Sequence, residues 1–266
     1  MAVEFEQKAR YRTEDLLEIM KALRSPQGCP WDREQTHESI RSSLIEETHE
    51  AIEAIDNGDD AGLCEELGDV LLQVVFHAEM ATEDGRFTFD DVVDGICKKL
   101  IVRHPHVFGD VKADTAGEVL KNWDAIKRQT KGTDAQSTLL RHLPKTLPAL
   151  MRAAKVQDRA RRVGFDWPSV DGAMAALESE TAELKEAMQS GDQAAIDEEF
   201  GDLLFSAVNV SRFLHTEAEL SLNAATEKFI RRFTRVEELA KEQGLDMNGA
   251  SLEELDALWD KAKTEE

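Results

Sequence analysis

The sequence repeats itself, and that repetition limits the folds open to it more than any other feature. EELGDVLLQVV at 65–75 returns as EEFGDLLFSAV at 198–208. EETHE at 46–50 matches SETAE at 179–183, KKLIVR at 98–103 matches EKFIRR at 227–232, and NWDAIK at 122–127 matches LWDKAK at 258–263. The separations are 133, 133, 129 and 136 residues, so the blocks keep their order while the segments between them change length. Four ordered matches mean two copies of one domain, taken here as residues 1–130 and 150–266. Residues 131–149 join them. This segment carries Gly132, Pro144 and Pro148 among polar residues and reads as a linker with one short helix.

Each copy reads as helical. The chain holds 15 Gly and 6 Pro in 266 residues, 6% aromatics, and long stretches of Ala, Leu, Glu and Lys. Apolar periodicity predicts helices over 13–24, 36–57, 60–84, 89–102 and 116–129, then 150–162, 170–189, 192–216, 219–243 and 251–264. NGDD at 57–60 and SGDQ at 190–193 read as turns that also offer Asp as a helix cap. SPQGCPWD at 25–32 and RHPHVFGD at 103–110 read as loops. No strand-like alternation persists, so the expected fold is all-α, with antiparallel helices joined by short turns.

Charge narrows the partners. A formal net charge of −22 disfavours a nucleic-acid backbone or an anionic membrane surface. Cys29, Cys64 and Cys97 are too scattered for a disulfide framework or a CxxC metal site and read as free thiols. The charged start MAVEFEQKAR shows no signal segment, and no apolar run reaches membrane-spanning length, so a soluble cytoplasmic protein is the default expectation.

The acids carry the chemistry. Along 60–84, Leu67, Val70, Leu71, Val74, Ala78 and Ala81 form one apolar face, which Leu72, Val75 and Phe76 widen. A helix this apolar is expected to be buried on most sides. One narrow polar line remains, Glu66, Asp69 and Gln73, repeated as Glu199, Asp202 and Ser206. Glu47 and Glu50 precede the first line, Glu180 and Glu183 the second. In both copies 19 residues separate the leading glutamates, Glu47 from Glu66 and Glu180 from Glu199. Crowded carboxylates beside an apolar core repel each other and lose hydration unless a cation compensates them. Mg²⁺ suits an all-oxygen set of this kind. Against this, Glu47 and Glu50 lie off the Leu44/Ile45/Ile52/Ile55 stripe of their own helix, and a solvated acidic face is the plain alternative. A di-iron centre would need two Glu-x-x-His pairs; only Glu46-Glu47-Thr48-His49 supplies one.

These residues resemble a known family. E-x-x-E, a spacer of about twenty residues and E-x-x-D form the pattern of the MazG-type nucleoside triphosphate pyrophosphohydrolases. GCPWDREQTHESI at 28–40, RHPHVF at 103–108 and LPALMRAAKVQ at 147–157 extend the likeness over nearly the whole chain, in the family's two-domain form. The resemblance implies MazG-like helical domains in tandem, pairing into four-helix-bundle-like homodimers. It implies Mg²⁺-dependent hydrolysis of NTPs and dNTPs to monophosphate and pyrophosphate, with Mn²⁺ as a substitute, by attack of metal-activated water on the α-phosphorus. The implied metal ligands are Glu180, Glu183, Glu199 and Asp202 in the second copy, taken as the catalytic set, and Glu47, Glu50, Glu66 and Asp69 in the first. The implied nucleotide-holding positions are Lys228, Arg232, Trp259 and Lys263, with counterparts Lys99, Arg103, Trp123 and Lys127. Lys228 and Arg232 share one helix face and suit phosphate, while Trp259 could stack on a base. The family's doubled glutamate is present as Glu46-Glu47, but Ser179 precedes Glu180, which leaves Glu198, Glu178 or bulk water as proton acceptor there. A nucleotide-sensing module with little turnover and a helical scaffold with decorative acids are the competing readings.

Overall fold

A computed structural model describes residues 5–112 and 143–265, with isolated positions 115, 117, 119, 126, 140 and 141 between them. The chain divides into two compact units, Met1–Gly132 and Thr133–Glu266. In unit 1 the helices are α1 (Thr13–Arg24), α2 (Pro30–Glu34), α3 (Arg41–Asn57), α4 (Asp60–Glu83), α5 (Phe89–Arg103) and α6 (Pro105–Phe108). Unit 2 has α7 (Ala149–Arg161), α8 (Val170–Ser190), α9 (Gln193–Phe213), α10 (Ala218–Glu242) and α11 (Leu252–Thr264). No strand occurs among the described residues, so the protein is all-α, a tandem helical repeat.

The dominant motif of each unit is a helix hairpin. In unit 1, α3 ends at Gly58, whose φ of 66° is the left-handed conformation that glycine adopts without strain. Asp59 then caps α4, its carboxylate accepting from the backbone N–H of Ala61 and Gly62. Unit 2 repeats the device: Gly191 closes α8 at φ 70°, and Asp192 caps α9 by accepting from Ala194 N–H. Small residues line the hairpins. Ala51 and Ala54 are the buried residues of α3, Ala173 and Ala187 those of α8. A methyl side chain lets neighbouring helix backbones approach closely.

Two apolar clusters anchor the units. In unit 1, Met20, Ile40, Val75, Phe76 and Met80 pack together with Leu16, Leu17, Leu72 and Phe89 around them. Arg24 fastens the end of α1 to the end of α4 through a two-pronged pair with Glu83, at 2.7 and 2.8 Å. In unit 2, Val236, Leu239, Ala240, Leu258 and Ala262 join the second half of α10 to α11.

Several expectations are corrected. The helix over 60–84 is buried along its second half only: Leu67 and Leu71 stand 54% and 39% exposed. The cluster that α1 builds with α4 takes in Val75, Phe76 and Met80, and among the described residues the first three turns of α4 lie outside it. The equivalent stretch of α9 leaves Phe200, Leu204 and Phe205 exposed. Two segments read as loops contain the short helices α2 and α6, each begun by a proline at its first turn, where a missing N–H costs nothing. Residues 36–40 form a turn of their own ahead of α3, with Thr36 and Ser39 exchanging side-chain-to-backbone hydrogen bonds. α9 stops at Phe213, two residues before His215 turns left-handed at φ 56°. Of the helix expected over 116–129, positions 117, 119 and 126 are described and are helical, and the rest lies outside the described residues.

Leu239 is fully buried at the centre of the unit 2 cluster. Leu239→Ala is expected to lower the unfolding free energy by about 2–5 kcal/mol, read as a reduced midpoint in urea with the far-UV helical signal retained before the transition.

Candidate metal centres on two helix hairpins

The hairpins set the height of every acid. Glu47 lies as many residues before the turn glycine Gly58 as Asp69 lies after it, and Glu180 and Asp202 flank Gly191 in the same way. Eleven residues make about three α-helical turns, roughly 16 Å, so each pair sits level across its hairpin. Glu66 and Glu199 come one turn nearer the bend, on the same face. Glu47 also shares its helix face with Ala51 and Ala54, and Glu180 falls midway between Ala173 and Ala187. The small residues that let the helices approach therefore aim these glutamates at the neighbouring helix.

The result is two acidic clusters of the same make. Glu47, Glu66 and Asp69 offer carboxylate oxygens within 4.8 Å of one another, and so do Glu180, Glu199 and Asp202. Of these, all but Asp202 are partly buried. Desolvation raises the Glu47 carboxyl above its ordinary range, with Asp69, Glu50 and Glu66 adding repulsion. Glu66 is raised by desolvation, by Glu50 and by Asp69. In unit 2 desolvation comes first again, followed by Glu183 and Asp202, for both Glu180 and Glu199. Glu50 and Glu183 are exposed at the margins. Each bears on its cluster electrostatically without joining the closest triad. Ser179 donates to Glu183 Oε1 at 2.8 Å, so at the position of the missing glutamate a hydroxyl orients a neighbouring acid. His49 is exposed and stands outside the gathered set.

A donor set of this chemistry fits a hard divalent cation. It is all oxygen, it converges from two helices, and its glutamates resist ionising, a conflict that a bound cation would remove. No nitrogen or sulfur ligand enters either triad.

The basic candidates assemble on other elements. Lys228 and Arg232 lie four apart on α10, the first exposed and the second partly buried. Trp259 of α11 is half-buried against Phe229, ring centroids 5.1 Å apart, with the Arg232 guanidinium 6.0 Å from its ring. Lys263 pairs with Asp260 at 3.1 Å. Lys99 and Arg103 lie on α5, while Trp123 and Lys127 lie outside the described residues. The three cysteines are free. No helix among the described residues is long and apolar enough to cross a membrane.

Comparison with known proteins is consistent over both halves. The model of the MazG nucleotide pyrophosphohydrolase domain matches residues 35–108 and again 169–238. The chain is similar to the nucleoside triphosphate pyrophosphohydrolase/pyrophosphatase MazG of Thermotoga maritima, 50% identical over 94% of this chain and 95% of that one. It is also similar to a nucleoside triphosphate pyrophosphohydrolase of Escherichia coli K12, 46% identical over 94% of this chain and 97% of the other.

Because the glutamates are raised above their unfolded values, the metal-free folded chain retains protons that the unfolded chain has already released. Their contribution therefore favours folding below the ordinary carboxylate range and is lost as pH rises through the raised values. Glu66→Gln and Glu199→Gln remove that repulsion. In metal-free buffer each is expected to melt higher than wild type at pH 7, with the gap closing toward pH 4, as read by thermal circular dichroism.

Proposed function

The chain belongs to the MazG nucleotide pyrophosphohydrolase family, and on that premise we propose that it is an enzyme hydrolysing nucleoside and deoxynucleoside triphosphates to monophosphate and pyrophosphate. The carrying observation is the pair of matching acidic triads, each held level by a glycine-turned, aspartate-capped hairpin.

In unit 2, Glu180, Glu199 and Asp202, with Glu183 beside them, hold Mg²⁺, and Mn²⁺ can replace it. The bound cation supplies Lewis acidity toward the phosphates and toward the attacking water. Lys228 and Arg232 bind phosphate oxygens, Lys as a point charge and Arg with its planar fork. Lys263 exchanges Asp260 for phosphate, and Trp259 gives the nucleotide an aromatic wall. Attack falls on the α-phosphorus, and pyrophosphate leaves. Of the acids near the site, Glu178 and Glu198 are exposed and free to take the proton to solvent, while Ser179 holds Glu183 in place.

Unit 1 keeps the same donors in Glu47, Glu50, Glu66 and Asp69, with Lys99, Arg103, Trp123 and Lys127 as its nucleotide-holding set. Glu46 supplies the doubled glutamate.

The working form is a homodimer. α5 has no buried residue, yet carries Val92, Val93, Ile96 and Leu100, and α10 exposes Leu222, Phe229, Ile230 and Phe233. Apolar surface of this extent calls for a partner, and a second copy pairing its helices into a four-helix-bundle-like unit provides one.

The purified chain with Mg²⁺ is expected to release pyrophosphate, with no orthophosphate, from several dNTPs. Glu66→Gln combined with Glu199→Gln is expected to reduce release to background with the helical signal intact. Nucleotide affinity without pyrophosphate would make the protein a binding module. Absence of both, with no rise in melting temperature on adding Mg²⁺, would make it a scaffold.

A further inference from the structure

Unit 2 contains a cavity of about 510 Å³ between α7, the segment that follows it and the second half of α9. That is the size class of small-molecule sites. Phe165, Trp167 and Phe205 give it aromatic walls, and Gln157, Asn209 and Arg212 give it polar ones. Phe165 and Trp167 stand 82% and 46% exposed, so each offers an uncovered ring face.

The polar groups are built in. Gln157 is 8% exposed, and its Nε2 donates to the Phe205 carbonyl at 2.7 Å. That bond fixes the amide's orientation, because the opposite one would set two carbonyl-type oxygens face to face. Gln157 Oε1 is thereby left buried with nothing to accept from, as is Arg212 Nε with nothing to donate to. A buried polar atom without a partner is costly, and a ligand that supplies one recovers the loss. The frame is rigid. Arg212 pairs with Asp166, Nη1 to Oδ2 at 3.0 Å, and also donates to Asn209 Oδ1 at 2.8 Å. A Cβ at Gly172 would come within 2.9 Å of Trp167, so the missing side chain is what lets the indole lie against the start of α8.

Position links the cavity to the acids. Asn209 follows Asp202 by two helical turns on nearly the same face of α9, about 10 Å along the axis. The geometry points to a nucleobase site: a planar heterocycle stacks against Trp167 and Phe165, and an N–H on its edge donates to Gln157 Oε1. It deepens the reading of unit 2 as a triphosphate site and rests on that reading only for where the base comes from, the bound triphosphate or a separate nucleoside.

The test needs neither metal nor phosphate. Adenosine and cytidine are titrated into the full-length chain in metal-free buffer and followed by saturation-transfer NMR. Binding to wild type is expected, weakened at least tenfold by Gln157→Leu and by Trp167→Ala. Should Trp167→Ala lower the melting temperature, Trp167→Leu takes its place, keeping apolar bulk without the aromatic face. Absence of nucleoside binding, or equal binding by the Gln157 and Trp167 variants, would overturn the proposal. With Mg²⁺ and the non-hydrolysable α,β-imido-dCTP, displacement of the nucleoside assigns the pocket to the base of the triphosphate. Simultaneous binding assigns it to a separate nucleoside, and both results support the pocket. If pyrophosphate release fails while nucleosides still bind, the hydrolytic reading falls and the pocket stands.

Discussion

Level carboxylates across a helix hairpin are the constraint on which the rest of the structure depends. A turn glycine at φ 66° or 70° and an aspartate cap reverse the chain within two residues. Residues equally far on either side of the bend then come to the same height. Placing Glu47 against Asp69 and Glu180 against Asp202 is unfavourable for the bare chain, where desolvation and mutual repulsion raise the carboxyls of Glu47, Glu66, Glu180 and Glu199. Two copies of the domain carry the same unfavourable arrangement, and the proposed cation would supply a reason for keeping it. The local cost is offset at a distance: Met20, Val75 and Phe76 in unit 1 and Leu239 with Leu258 in unit 2 are packed away from the acids.

The first turns of α4 and α9 must serve two needs at once. One face carries the acids and the others carry Leu67, Leu71, Phe200 and Leu204, which the chain leaves largely uncovered. Large apolar residues so close to the charged cluster would lower its dielectric once covered, which strengthens both the carboxylate repulsion and the grip on a cation. Covering by a second copy would thus act on the chemistry as well as on stability.

Much of this was legible before any coordinates. The repeat gave the tandem architecture, and the turn chemistry of NGDD and SGDQ gave the bend and the caps. The packing face of α3 was harder. Leu44, Ile45, Ile52 and Ile55 mark the obvious stripe, yet Ile45 and Ile55 are about 60% exposed, and the buried line runs through Ala51 and Ala54 to Glu47. Large apolar residues dominate a helical wheel, whereas small ones decide which faces of two neighbouring helices can meet. Counting from the turn glycine would have found the pairing that the wheel obscured. α4 departs from its expected burial for a related reason: apolar content shows that a helix wants cover without saying whether its own chain supplies it. The cavity around Gln157 had no sequence signal, because Phe165 and Trp167 come from one segment and Phe205, Asn209 and Arg212 from another far along the chain.

The central claim is that each hairpin exists to hold a divalent cation between its helices. Crystals soaked in Mn²⁺ and measured at an anomalous wavelength test it most directly. The account requires one anomalous site bounded by Glu180, Glu199 and Asp202 and another bounded by Glu47, Glu66 and Asp69, each with carboxylate oxygens at bonding distance. Manganese bound elsewhere on the surface, with both triads bare at saturating metal, would contradict it.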